Sequence, residues 1–159
     1  MKILIVSDTH GSHAPLEKVI EQVGEFDLFI HLGDVEEGED YIGSLVECEK
    51  HIVRGNNDFF SGLEREEEFM IGQYKAFITH GHNYYVSLDP ERIKEEGRAR
   101  GADIVMFGHT HRPYLEIEDD ITVLNPGSVS YPRQEGRRGS YMVMEIGDAG
   151  TVQYSQEYI

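Results

Sequence analysis

The chain has 159 residues, enough for one domain that buries about 70% of the surface its unfolded form exposes. Its 39% hydrophobic and 28% charged residues are ordinary for a globular protein, but 14 basic against 30 acidic side chains leave a formal charge of −16. A field of that sign disfavours DNA, RNA and anionic membranes as partners, and the lone Cys48 excludes an internal disulfide or a thiolate zinc cluster.

Along the chain, Ile3–Val6 is short and rich in β-branched residues, which predicts a buried strand. Leu16, Val19, Ile20 and Val23 recur at helical spacing over His13–Val23, and Pro15 is tolerated in a first turn. Leu28–Leu32 predicts a second strand, Tyr41–Val46 a short helix, and His51–Val53 the core of a third strand. That β-α-β-α-β order argues for a parallel sheet covered by helices. Phe69–Ile71 and Tyr74–Ile78 then flank Gly72-Gln73, a connection suited to a type II′ hairpin turn. Glu91–Arg100 predicts an amphipathic helix that stops at Gly101, followed by a buried strand over Asp103–Phe107. Tyr114–Ile117 pairs with Ile121–Leu124 around Glu118–Asp120, and Tyr141–Ile146 with Thr151–Tyr154 around a Gly-Asp-Ala-Gly turn. The acidic stretches Glu36–Asp40 and Glu64–Glu68 are expected to be solvated. With no internal repeat or linker, the expectation is a single domain over residues 1–159: a mixed or two-sheet α/β sandwich, more antiparallel toward its C-terminal part. No apolar run approaches a membrane span and the one after Lys2 is too short for a signal peptide, so a cytoplasmic location is expected.

The strongest signal is a recurrence. Ile3–His10, Leu28–Asp34, Ile52–Asp58, Ala76–His82 and Ile104–His111 each run from an apolar strand into small or polar residues and then metal-ligand side chains. In open α/β sheets, ligands bind beyond the carboxyl ends of the strands, so these segments should converge. Asp8 and His10, like His109 and His111, are spaced to share one side of an extended segment. Of the 8 histidines, His10, His80, His109 and His111 hold such positions. An oxygen-plus-imidazole set without thiolate suits Mn²⁺, Fe, Co²⁺, Ni²⁺ or Zn²⁺, with Mn²⁺ foremost. The set Asp8, His10, Asp34, Asn56, His80, His109 and His111 is too large for one tetrahedral ion and fits two ions sharing a carboxylate. Two divalent cations against two aspartates leave a local charge of about +2, which attracts a phosphate ester and stabilises its transition state.

Asp8-x-His10, Gly33-Asp34, Gly55-Asn56, His80-Gly81-His82 and Gly108-His109-Thr110-His111 resemble the calcineurin-like metallophosphoesterases. Asn125-Pro126-Gly127-Ser128 and the short length resemble the small YfcE-type phosphodiesterase branch. The resemblance implies a four-layer α-β-β-α sandwich of two mixed sheets flanked by helices. It further implies one ion on Asp8, His10, Asp34 and His111, and another on Asp34, Asn56, His80 and His109. A water or hydroxide between the ions would then attack phosphorus in line, hydrolysing small organic phosphate esters, diesters foremost and monoesters as a variant. Family members often form dimers or higher homo-oligomers, though no pattern here fixes an interface. Many carry a histidine where this chain has Asn57, a side chain that can donate a hydrogen bond to a phosphoryl oxygen but delivers no proton at neutral pH. Esters with good leaving groups should therefore be preferred. Asn57 and His82 are the expected catalytic and substrate-binding groups, with Arg133 a further phosphate contact or else a surface ion-pair former. His31 is expected in the core or behind the ligands, His13 at a helix start near the site in either a capping or solvent role or a substrate role, and His51 at the surface. The alternative is a non-catalytic protein-interaction scaffold on the same fold, as in the retromer subunit that shares it.

Overall fold

The computed structural model describes residues 1–159 throughout. In chain order the elements are β1 (Lys2–Val6), α1 (His13–Val23), β2 (Leu28–His31), α2 (Glu39–Leu45), β3 (Glu49–Ile52), β4 (Glu66–Ile71) and β5 (Tyr74–Thr79). A 3₁₀ turn at His82–Tyr84 precedes α3 (Glu91–Ala99), then β6 (Ile104–Met106), β7 (Pro113–Ile117), β8 (Thr122–Pro126), β9 (Ser140–Ile146) and β10 (Val152–Tyr158). They form two five-stranded mixed sheets, in the orders β10-β9-β1-β2-β3 and β4-β5-β6-β8-β7. Within the first, β1, β2 and β3 are parallel, with β9 antiparallel to β1 and β10 to β9. Within the second, β5, β6 and β8 are parallel and the edges β4 and β7 run antiparallel.

Side-chain alternation explains the layering. Ile3 and Ile5 point into a core between the sheets with Ile30, Ile78 and Met106, while Leu4 and Val6 meet Leu16 and Val19 of α1 and Ile42 of α2. Phe77, Val105 and Val123 on the outer face of the second sheet pack on Ile93 of α3. The result is the expected α-β-β-α sandwich. Strands covered on both faces read as continuous apolar runs, as β1, β2 and β6 do. No helix is long and apolar enough to cross a membrane.

Several boundaries differ from expectation. The third strand is Glu49–Ile52, with Val53 continuing the ladder through its N–H to the His31 carbonyl (3.1 Å). The first part of β4, Glu66–Glu68, lies in a strand instead of a solvated run. β4 is an edge strand, and its carboxylates meet basic side chains: Glu66 on Arg100 (2.7 Å), Glu68 on Lys75 (2.6 Å) and Glu67 on His51 (2.6 Å). His51 is accordingly half-buried, stacked on Phe69 with ring centroids 3.6 Å apart, and ties β3 to β4 across the edges of the two sheets. Gly72 takes the left-handed φ of 61° at the hairpin, as a type II′ turn requires.

Candidate metal centre

The loops that leave β1, β2, β3, β5 and β6 carry the recurrent motifs, and each leaves the carboxyl end of a parallel strand. Backbone hydrogen bonds tie these loops together: Asp8 N–H to the Gly33 carbonyl (3.0 Å), His10 N–H to Asp34 (2.9 Å) and Gly108 N–H to His80 (3.1 Å). The packing is tight enough to exclude a side chain at two glycines. A Cβ on Gly55 would stand 2.0 Å from Asp34 Oδ1, and one on Gly108 would stand 2.0 Å from Ser7 Oγ. Asp8, His10, Asp34, His109 and His111 all take positive φ, between 47° and 68°. Outside glycine such backbone costs on the order of 1 kcal/mol or more per residue, and it clusters where structure serves a site.

Asp8, His10, Asp34 and His111 bring one donor atom each to within 4.8 Å of all the others. Asn56 Oδ1 stands 3.1 Å from His80 Nε2 and 2.9 Å from His109 Nδ1, forming an adjoining group. Asp34 Oδ2 lies between the two, 3.7 Å from His10 Nε2 and 3.4 Å from His80 Nε2. All seven expected ligands thus meet at one place.

Hydrogen bonds on the far side of the rings show which nitrogens face inward as lone pairs. His80 Nδ1–H donates to the Leu32 carbonyl (2.7 Å), His111 Nδ1–H to the Tyr131 carbonyl (2.7 Å) and His10 Nδ1–H to Glu36 Oε1 (2.8 Å). In the neutral ring Nε2 is then an acceptor. His10 Nε2 and His111 Nε2 face each other at 3.2 Å, an arrangement that a shared cation, or a proton on one ring, would relieve. Asp8 adds to this. Its Oδ2 accepts from Ser7 Oγ (2.6 Å) and His109 N–H (3.2 Å), while Oδ1 is buried with no aligned donor although His111 Nε2 is 3.1 Å away. Donors converging on a shared centre and not on one another fit divalent cations.

The electrostatics agree. Burial would raise the carboxyl of Asp34, but the hydrogen bond and charge of His80 outweigh it and bring the group to about 2. Burial would likewise lower His80, yet Asp34 and Asp8 hold it above the ordinary imidazole range.

Asn57 reaches Asp34 from both its backbone N–H (to Oδ1, 2.9 Å) and its side-chain amide (to Oδ2, 3.1 Å). His82 is half-buried beside the ligands, ring centroids 5.6 Å from His80 and 6.0 Å from His109, with Nδ1 lacking a partner; burial first, then His80, lowers its proton affinity. Arg133 lies on the rim of a cavity that includes His10 and His111. His31 is fully buried behind Asp8, its Nε2 3.0 Å from Thr9 Oγ1 and its Nδ1 accepting from Gly33 N–H. His13 packs on Tyr41, ring centroids 4.5 Å apart. Asn125 and Ser128 are buried struts: Asn125 Nδ2 donates to the Gly108 carbonyl (2.7 Å) and Ser128 Oγ to the Asp8 carbonyl (2.8 Å). Sequence reasoning missed two residues. Glu36 fixes the His10 ring, and the buried Asp58 accepts from Glu36 N–H and Gly55 N–H, both at 2.7 Å. Their proximity to Asp34 and Asn56 in the chain was the available signal.

Residues 1–149 match the family model of the calcineurin-like phosphoesterase superfamily domain. The phosphodiesterase YfcE of Escherichia coli (strain K12) is 32% identical over 170 aligned residues, covering 91% of this chain and 88% of the relative. A predicted phosphoesterase from Streptococcus pneumoniae TIGR4 superposes with a TM-score of 0.80 at 30% identity, covering 98% of this chain and 97% of the other. Wild-type Vps29 of Entamoeba histolytica, solved with Zn²⁺, superposes with a TM-score of 0.78 at 26% identity, covering 99% of each chain.

Proposed function

The chain belongs to the calcineurin-like phosphoesterase superfamily, YfcE-type branch, and on that premise we propose that it is a single-domain, dinuclear-metal phosphodiesterase acting on small organic phosphate esters. The observation that carries this reading is the position of Asp34, whose Oδ2 stands between His10 Nε2 and His80 Nε2 with a complete donor set on either side. Asp8, His10, Asp34 and His111 would hold one cation and Asp34, Asn56, His80 and His109 the other, with Mn²⁺ the first choice and Ni²⁺, Fe, Co²⁺ or Zn²⁺ as alternatives. Such ions supply Lewis-acid polarisation of the phosphoryl oxygens and a water nucleophile available near neutral pH.

The chain's own residues do the remaining work. Glu36, Leu32 and Tyr131 hold three imidazoles with Nε2 inward, and Asn57 fixes the plane of the Asp34 carboxylate. Asn57 is also the amide nearest to serve a phosphoryl oxygen, but it cannot protonate a departing alkoxide. Burial lowers the proton affinity of His82, which favours its role as a hydrogen-bonding partner. Departure of the leaving group then rests on its own basicity.

Titrating Mn²⁺ into the metal-stripped protein with bis(p-nitrophenyl) phosphate tests this. Hydrolysis should appear with metal, vanish in Asp34→Asn, and fall steeply as the leaving group becomes more basic. A second reading, an interaction scaffold, draws on the close superposition with Vps29. Absence of hydrolysis with Mn²⁺, Ni²⁺ and Zn²⁺ alike would favour it.

A further inference from the structure

A cavity of about 740 Å³ opens beside the ligand group, and His10, His111, Arg112, Tyr131, Arg133 and Arg137 form most of its wall. The three guanidinium groups belong to exposed residues and none enters an ion pair. Of the chain's 14 Lys and Arg side chains only Lys75, Lys94, Arg98 and Arg100 enter ion pairs; what sets these three arginines apart is that they share one concave wall beside the ligand group. Arg98 pairs with Glu118 and Asp120, and Arg100 with Glu66, Glu68 and Glu96. Arg138, next in sequence to Arg137, turns the other way, to the Ile159 carbonyl and the face of Tyr158. The only carboxylate in the wall is Glu36, already engaged by His10 Nδ1 at 2.8 Å. Three guanidiniums less one carboxylate leave +2 in this cavity before any metal binds.

The rim is also fixed relative to the ligands. Arg112 follows His111 directly, Arg133 N–H donates to the His111 carbonyl (3.0 Å), and Arg137 N–H closes a turn on the Gln134 carbonyl (3.1 Å). Guanidinium groups match phosphate oxygens bidentately, and unpaired ones in a concave wall concentrate anions. The scissile phosphate does not account for them, because the metal centre already supplies its countercharge. Resting on the phosphodiesterase reading above, we propose that Arg112, Arg133 and Arg137 form a specificity site for a second, non-scissile phosphate, so that the substrate class is phosphodiesters carrying a further phosphate group.

A matched pair of probes tests this: the p-nitrophenyl ester of thymidine 5′-monophosphate, with and without a 3′-phosphate. The Mn²⁺-loaded protein should prefer the 3′-phosphorylated ester by about 10–100-fold in kcat/KM, the range of one or more charge-assisted contacts. The preference should reside mainly in KM and collapse toward unity in Arg112→Gln/Arg137→Gln. Equal kcat/KM for the two esters, or a preference unmoved in the double variant, overturns the proposal while leaving the phosphodiesterase reading intact. If neither ester is cleaved, that reading fails. The proposal is then decided by calorimetric titration of thymidine 3′,5′-bisphosphate against thymidine 5′-monophosphate: a preference that the double variant loses supports it, and equal affinities reject it.

Discussion

Glu36 does for His10 what two backbone carbonyls do for His80 and His111: it takes the Nδ1 proton and leaves Nε2 free to face the centre. Of the three acceptors it alone is a side chain that mutation can change. Because partners on the far ring nitrogen fix both orientation and basicity, Glu36→Gln should weaken Mn²⁺ binding by about 10–100-fold, read by calorimetry. Unchanged affinity would mean the ring needs no such partner. His31 behaves differently, since it is buried and faces Thr9 and Gly33 rather than a ligand. Burial, only partly opposed by Asp8 and Asp58, lowers it from 6.5 to about 4. Between those values the unfolded chain takes up a proton that the native state refuses. Stability from this group is therefore complete above about pH 6.5 and declines as pH falls toward 4. The loss between pH 7 and 4.5 is at most about 2–3 kcal/mol. Urea unfolding of metal-free wild type and His31→Gln at the two pH values should show the smaller decline in the variant; parallel declines would contradict this.

The loops after β1, β2 and β3 are bonded to one another, and Asp58 adds a carboxylate clamp between two of them. It spans from the loop after β3 to that after β2, taking Gly55 N–H on one oxygen and Glu36 N–H on the other. Asp58→Ala would strand both donors, at about 1–3 kcal/mol each. A fall in the thermal midpoint together with weaker metal binding is expected; loss of stability with unchanged metal affinity would show that the loops keep their positions without the clamp. The sequence revealed the ligand-bearing strands because an apolar run ending in Asp or His is a local pattern. Glu36 and Asp58 were harder to see, since an acidic residue in a loop looks solvated until its distant partners are known. The same holds for Glu66–Glu68: an edge strand with Arg100, Lys75 and His51 beside it tolerates three acids that local propensity assigns to a loop. The β-α-β-α-β half and the hairpin at Gly72 were legible, because burial on both faces and turn chemistry leave signatures within a few residues.

Across the whole molecule, two sheets present the carboxyl ends of their parallel strands to one region, so residues as far apart as Asp8 and His111 share a centre inside a chain of charge −16. Within that negative total, the arginine rim and any bound cations make a local patch of opposite sign. Cation binding to the native state alone should raise the thermal midpoint in proportion to the logarithm of free metal. Vps29 shows that this fold is also found in proteins of another name, so architecture by itself decides little and the ligand set decides more. The most direct test is anomalous diffraction from crystals grown with Mn²⁺. Two peaks are predicted, one amid Asp8, His10, Asp34 and His111, the other amid Asp34, Asn56, His80 and His109, with Asp34 touching both. A single peak, or none at saturating Mn²⁺, would contradict the dinuclear assignment.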